Sequence, residues 1–205
     1  MRNDMSEKGA LRRELLAARR LLPPEEARSA AAVLARQALL LPEVAEADTV
    51  AAYVSVGSEP GTRALLDVLR ARGTRVLLPV LLPDNDLDWG RYRGAEHLAS
   101  AGRGLLEPEG TRLGPDAVLE AGTVLLPGLA VDGRGMRLGR GGGSYDRVLA
   151  RLSAAGADPA LVVLLYTDEV VEQVPVEPHD RPVHAVVTPA GVRRFTRPRR
   201  PADAG

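Results

Sequence analysis

Between Pro127 and Asp146 the chain interleaves Gly139, Gly141, Gly142 and Gly143 with Arg137 and Arg140, and these residue types at this spacing suit an anion site. Glycines let backbone N–H groups come close to a phosphate, because no Cβ intervenes and positive φ is available. The two guanidinium groups add fixed charge in a fork that matches phosphate oxygens. Tyr145, Val148, Leu149 and Leu152 follow at helical spacing, so the glycine run opens directly into a helix. The first turn of that helix brings unpaired N–H donors and the positive end of its dipole. Asp146, in the same turn, suits a divalent cation serving those phosphates. The loop is not a Walker A loop, which needs a lysine after its last glycine, and Gly139-Arg140-Gly141-Gly142-Gly143-Ser144 lacks the final glycine of a dinucleotide fingerprint.

Three further positions have chemistry to offer. Glu59 lies in a short loop that would face the glycine run across a cleft. Asp180 follows the proline-stiffened segment from Val174 to Pro178, and would join Asp146 in holding Mg²⁺ with substrate phosphates. Lys8 is the one lysine among 27 basic residues, all the others being arginine, which points to a place that wants an ammonium group. His179, Asp180 and His184 match no common zinc spacing, and there is no cysteine to complete one.

These residues need a scaffold, and the chain alternates helix and strand. Leu11, Leu15, Ala18 and Leu22 predict an amphipathic helix over roughly residues 7–21, and Ala27, Ala31, Leu34, Ala38 and Leu41 line a second that starts near Pro24. Residues 49–54 read as a buried strand, 56–61 as a loop, and Thr62 as the cap of a helix carrying Leu65, Leu66, Val68 and Leu69, which Gly73 ends. Strands are expected at 75–80, 87–92, 123–126, 161–165 and 183–187, while residues 83–121 are otherwise hard to read. Such alternation predicts an α/β fold: an open, mostly parallel sheet with helices on both faces, a Rossmann-like three-layer sandwich. In such sheets ligands bind beyond the carboxyl ends of the strands. That gathers the 56–61 loop, the 127–144 loop and the loop after Leu165 on one edge.

Composition narrows the class. The 205 residues suit a single domain over residues 1–192, followed by a basic, disordered tail over 193–205. Net charge is zero and only 3% of residues are aromatic, which argues against nucleic acid as a partner. Cysteine is absent, no leader-like segment opens the chain, and no apolar run would span a bilayer, so a cytoplasmic protein without a membrane partner is expected.

The run from Pro127-Gly128 through Arg137-Leu138-Gly139-Arg140-Gly141 to Tyr145-Asp146 resembles the 5-formyltetrahydrofolate cyclo-ligase family. Lys8-x-x-Leu11-Arg12, Tyr53-Val54-Ser55-x-x-x-Glu59, Leu105-x-Glu107-Pro108 and Val174-Pro175-Val176-Glu177-Pro178-His179-Asp180 match the family's other motifs in order, over roughly residues 8–190. The resemblance implies an enzyme that uses ATP and Mg²⁺ to close 5-formyltetrahydrofolate to 5,10-methenyltetrahydrofolate, releasing ADP and phosphate through a phosphorylated formyl group. It implies ATP contacts at Lys8, Arg12, Arg137, Leu138, Gly139, Arg140, Gly141, Gly142, Gly143, Ser144 and Tyr145. Lys8 would be a point charge on the triphosphate, and Arg140 would stabilise the transferring phosphoryl. Val54, Glu59, Arg140 and the run Gly141–Ser144 would contact the folate, and Asp146 and Asp180 would hold the metal. Many relatives carry a bulky or basic residue where Gly142 stands and tyrosine where Ser144 stands, so a roomier site is expected. A folate binder without turnover, or another ATP-using enzyme on the same fold, is the alternative. A monomer or weak dimer is expected.

Overall fold

The continuous apolar runs of the chain pair side by side, as strands buried on both faces do. In this computed structural model, which describes residues 2–178 and 180–195, the elements are α1 (Arg2–Leu21), α2 (Pro24–Ala38), α3 (Pro42–Ala45), β1 (Thr49–Ala51), α4 (Arg63–Ala71), β2 (Arg75–Leu81), β3 (Leu87–Arg91), β4 (Leu98–Ser100), β5 (Leu106–Pro108), β6 (Thr123–Leu126), β7 (Ala130–Val131), β8 (Arg137–Leu138), α5 (Ser144–Ala154), β9 (Ala160–Leu164), β10 (Ala185–Thr188) and β11 (Gly191–Arg194). A seven-stranded sheet runs β11-β10-β9-β6-β1-β2-β3. Its middle strands, from β10 to β2, are all parallel, and β3 and β11 close the two edges antiparallel. This is the mostly parallel α/β sheet expected from the alternation of elements.

Successive side chains of a strand point to opposite faces, and the two core layers follow that rule. Val50, Val76, Leu78, Leu125, Val162 and Val187 face one layer, where Leu34 and Ala38 of α2 and Leu65, Leu66 and Leu69 of α4 cover them. Ala51, Leu77, Val124, Leu126, Val163 and Val186 face the other, under Val148, Leu149 and Leu152 of α5 and under Ala117 and Val118 of a 3-10 turn. Arg151 of α5 pairs with Asp86 at 2.7 Å and with Asp116 at 2.9 Å, tying that helix to the β2–β3 turn and to the 3-10 turn.

α1 lies outside these layers. Its Leu15 packs with Leu129, Ala130, Leu138 and Val174, against the small β7–β8 ribbon. The buried stripe differs from the expected one: Ala18 is exposed, while Lys8, Leu15 and Arg19 are buried. Ion pairs replace apolar contact at two of these positions, so hydropathy alone misplaces the stripe.

Three local expectations are corrected. Thr62 precedes α4 but makes no capping bond. Its hydroxyl instead donates to Tyr53 O at 2.8 Å and accepts from Ser55 N at 2.9 Å, which fixes the loop leaving β1. β1 ends at Ala51, since the chain turns into that loop. Arg193 and Arg194, placed at the start of a disordered tail, lie in β11, where Arg194 pairs with Glu43 at 2.9 Å and Arg193 sits over the Phe195 ring. The remainder of that tail, residues 196–205, falls outside the described residues.

Candidate active site

The chain leaves β1 for β2 on one side and later returns through β6 on the other, so the order of strands reverses between β1 and β6. Ligands of open α/β sheets bind at that reversal, beyond the carboxyl ends of the strands. A cleft of about 360 Å³ opens there, within the size range of small-molecule sites. Val54 and Glu59 form one wall, on the loop after β1. The run Arg137–Asp146 forms the opposite wall, Lys8 and Arg12 of α1 close one end, and Asp180 stands beside them. Every residue given a site role from the sequence therefore lines one cavity. The loop after Leu165 does not line it: Tyr166 sits under the Arg19 guanidinium, 5.8 Å from it. Leu105, Leu106 and Glu107 of the β4–β5 hairpin line the cleft instead, with Pro79, Leu81 and Leu87 as an apolar floor.

The glycine loop is shaped from within. Asp132, fully buried, accepts from Arg134 N at 2.8 Å, Met136 N at 3.1 Å and Val174 N at 3.2 Å. It thereby folds the β7–β8 turn and docks Val174 beside it. Gly141 and Gly143 take φ of +93° and +77°, which L side chains adopt only with strain. Gly143 is the residue before α5, and the first bond of that helix runs from Arg147 N to Gly143 O at 3.1 Å. The N–H groups of Ser144, Tyr145 and Asp146 therefore have no helical partner, and they sit at the positive end of the dipole at the cleft. Arg12 Nε donates to Gly139 O at 2.9 Å, so Arg12 braces the loop backbone.

Lys8, Arg137 and Arg140 each face a carboxylate. Lys8 Nζ lies 2.7 Å from Glu177 Oε2 and 2.9 Å from Asp180 Oδ2, and Asp180 Oδ2 also accepts from Glu177 N at 2.7 Å. Burial works against the Lys8 charge, but the bonds to Glu177 and Asp180 outweigh it and hold the ammonium above its ordinary pKa. Arg137 donates to Pro127 O at 3.0 Å and to Asp146 Oδ1 at 3.2 Å. Burial lowers the pKa of its guanidinium, against the pull of Asp146, Tyr145 and Asp180. Asp146 and Asp180 thus both act on Arg137. Arg140 Nε lies 3.1 Å from Glu59 Oε1, while Glu59 Oε2 accepts from Val56 N at 2.8 Å. Across the cleft, the expected facing of Glu59 and the glycine loop is this ion pair.

Some working residues were given no role from the sequence, even where they stand in its motifs. Glu177 is one, although its place three residues before Asp180 marks it as a turn neighbour. Glu107 is another: it accepts from Leu81 N at 2.9 Å and so seats the β4–β5 hairpin on the sheet at the cleft. A third device is the pair Arg19–Glu169, whose side chains are 1% and 6% exposed, with Arg19 also donating to Gly128 O at 2.7 Å. His184, given no role from the sequence, accepts from Leu161 N through Nδ1 at 2.9 Å, away from the cleft. His179 lies outside the described residues.

Comparison with known proteins covers the same span. Residues 4–189 match the model of the 5-formyltetrahydrofolate cyclo-ligase family. The chain is 46% identical over 146 residues to 5-formyltetrahydrofolate cyclo-ligase of Mycolicibacterium smegmatis, covering 69% of this chain and 73% of that one. It is 34% identical over 176 residues to the Escherichia coli protein of that name, covering 85% of this chain and 96% of that one. Among solved structures, the NMR structure of Aquifex aeolicus 5,10-methenyltetrahydrofolate synthetase superposes with a TM-score of 0.78 at 30% identity, covering 94% of this chain and 95% of that chain. The match runs from the α1 residues at one end of the cleft to beyond Asp180 at the other, and on it the chain belongs to the 5-formyltetrahydrofolate cyclo-ligase family.

Proposed function

We propose that the protein closes 5-formyltetrahydrofolate to 5,10-methenyltetrahydrofolate at the expense of ATP. The observation that carries this reading is the meeting of Arg140 and Glu59 at 3.1 Å. A phosphate-binding loop and a candidate folate-binding carboxylate then share one cavity, as direct transfer between two substrates requires. In this reading the formyl oxygen attacks the γ-phosphorus and ADP leaves. N10 then attacks the formyl carbon and loses its proton. Phosphate departs with the former formyl oxygen, leaving the methenyl bridge. Formamide oxygen is a poor leaving group until phosphorylated, which is why ATP is needed. The chain supplies position and charge: Arg140 and Lys8 on the phosphates, the first-turn N–H groups of α5 behind the glycines, Arg12 bracing the loop, and Glu59 and Val54 against the folate.

Magnesium fits the residues present. Asp146 and Asp180 line the cleft and both bear on Arg137, and magnesium commonly takes one or two carboxylates together with substrate phosphates. Bound there, it would neutralise developing phosphate charge. We place the enzyme in the cytoplasm as a monomer or weak dimer. Nucleic acid is not among its partners in this reading, the arginines of β11 being engaged with Glu43 and Phe195. Among the described residues no helix is long and apolar enough to cross a membrane.

The test is the ultraviolet absorbance of the methenyl product on mixing protein, 5-formyltetrahydrofolate, Mg²⁺ and ATP, with ATP omitted as control. An ATP-dependent rise is expected. Folate binding without a rise would leave a binder without turnover, and ATP binding without folate binding would point to another substrate.

A further inference from the structure

The Tyr145 hydroxyl is buried and has no hydrogen-bond partner among the described residues, although its ring packs into the second core layer and the residue lines the cleft. A buried, unpaired hydroxyl destabilises a protein and calls for an explanation. Its surroundings offer one. A phenol, with its ordinary pKa of about 10, is a donor at physiological pH, and the Glu59 carboxylate lines the same cleft. Glu59 is itself held by Val56 N and by Arg140, and its side chain is only 10% exposed. In the proposed reaction Arg140 is drawn to the triphosphate. That would strip one partner from a nearly buried carboxylate, an arrangement that is not tolerated unless another donor replaces it.

We propose that Tyr145 is a positioning residue: its hydroxyl takes over Glu59 when nucleotide recruits Arg140, and holds the carboxylate toward the folate. Glu59 then passes from one donor to another as ATP binds. The folate meets a carboxylate whose remaining lone pairs seek N–H groups, which the pterin has. Binding of the two substrates is therefore positively coupled, and by linkage each raises the affinity of the other by the same factor.

The inference rests on the proposed activity, and equilibrium binding separates the two. Affinity for 5-formyltetrahydrofolate is measured with Mg²⁺, with and without a non-hydrolysable ATP analogue, in the wild type, Tyr145→Phe, Glu59→Gln and the double variant. The analogue is expected to tighten folate binding in the wild type by about tenfold. Tyr145→Phe is expected to melt no lower than the wild type, since it removes only an unpaired hydroxyl, and yet to lose most of that enhancement. In the Glu59→Gln background it should add no further loss, because the hydroxyl acts through that carboxylate. The inference is overturned by an enhancement that survives in Tyr145→Phe, by additive losses in the double variant, or by a clearly lower melting temperature for Tyr145→Phe. A wild type that turns over but whose folate affinity ignores nucleotide overturns it while sparing the activity. A wild type that binds no 5-formyltetrahydrofolate overturns both.

Discussion

The glycines of the 139–143 run are not equivalent. A Cβ at Gly142 would meet nothing within 4 Å, at a φ that any residue tolerates, whereas Gly141 and Gly143 hold positive φ. Gly142→Ala is therefore expected to leave stability within about 0.5 kcal/mol of wild type, and Gly143→Ala to cost about 1–2 kcal/mol, as denaturant melts would read. Asp146 is half exposed and makes a single 3.2 Å bond to Arg137, so little of the fold depends on it. Asp146→Asn should keep the melting temperature and lower ATP-dependent turnover by about 100-fold. Full turnover in that variant would remove its metal role.

At the scale of elements, α1 decides whether the cleft has its closed end. It holds Lys8 and Arg12 in place through Arg19, which is anchored on Glu169 and on Gly128 O, 150 and 109 residues away in sequence. Glu169→Gln would leave the guanidinium buried without its counter-charge. A loss of about 3–5 kcal/mol is expected, with a melting temperature lower by about 10 °C. The sheet strands and α2, α4 and α5 were legible because apolar periodicity reports burial directly. The α1 stripe was not, since Arg19 and Lys8 are buried as charges whose partners lie far along the chain. Thr62 was misread for a related reason: its residue type suits a cap, but a loop carbonyl at Tyr53 competes for the hydroxyl. The glycine–arginine run was legible as a loop opening into a helix because its signals are local. Glu177 and Glu107 stood in quoted motifs, but their roles were not legible, because Lys8 and Leu81, which they receive, lie in other elements.

For the whole molecule, pH acts through groups whose ionisation folding alters. Asp132 is buried, which opposes its charge, but bonds from Arg134, Val174 and Met136 prevail and hold its carboxyl below the ordinary 3.8. Its contribution is therefore full above that value and lost as pH falls through the lower, folded one. Lys8, held above its ordinary 10.5, contributes fully below that value and loses its contribution as pH rises through its folded one. Melts across pH should show both limbs, with the acid limb flatter in Asp132→Asn and the alkaline limb flatter in Lys8→Met; unchanged limbs would contradict these assignments. The long reach of α1 has a consequence for synthesis. Arg19 and Lys8 of that helix are made 150 to 172 residues before Glu169, Glu177 and Asp180, which receive them. A nascent chain halted before residue 169 can pair its sheet from β1 to β9 but has nothing to lock α1, so substrate-binding competence waits until Glu169, Glu177 and Asp180 have been made.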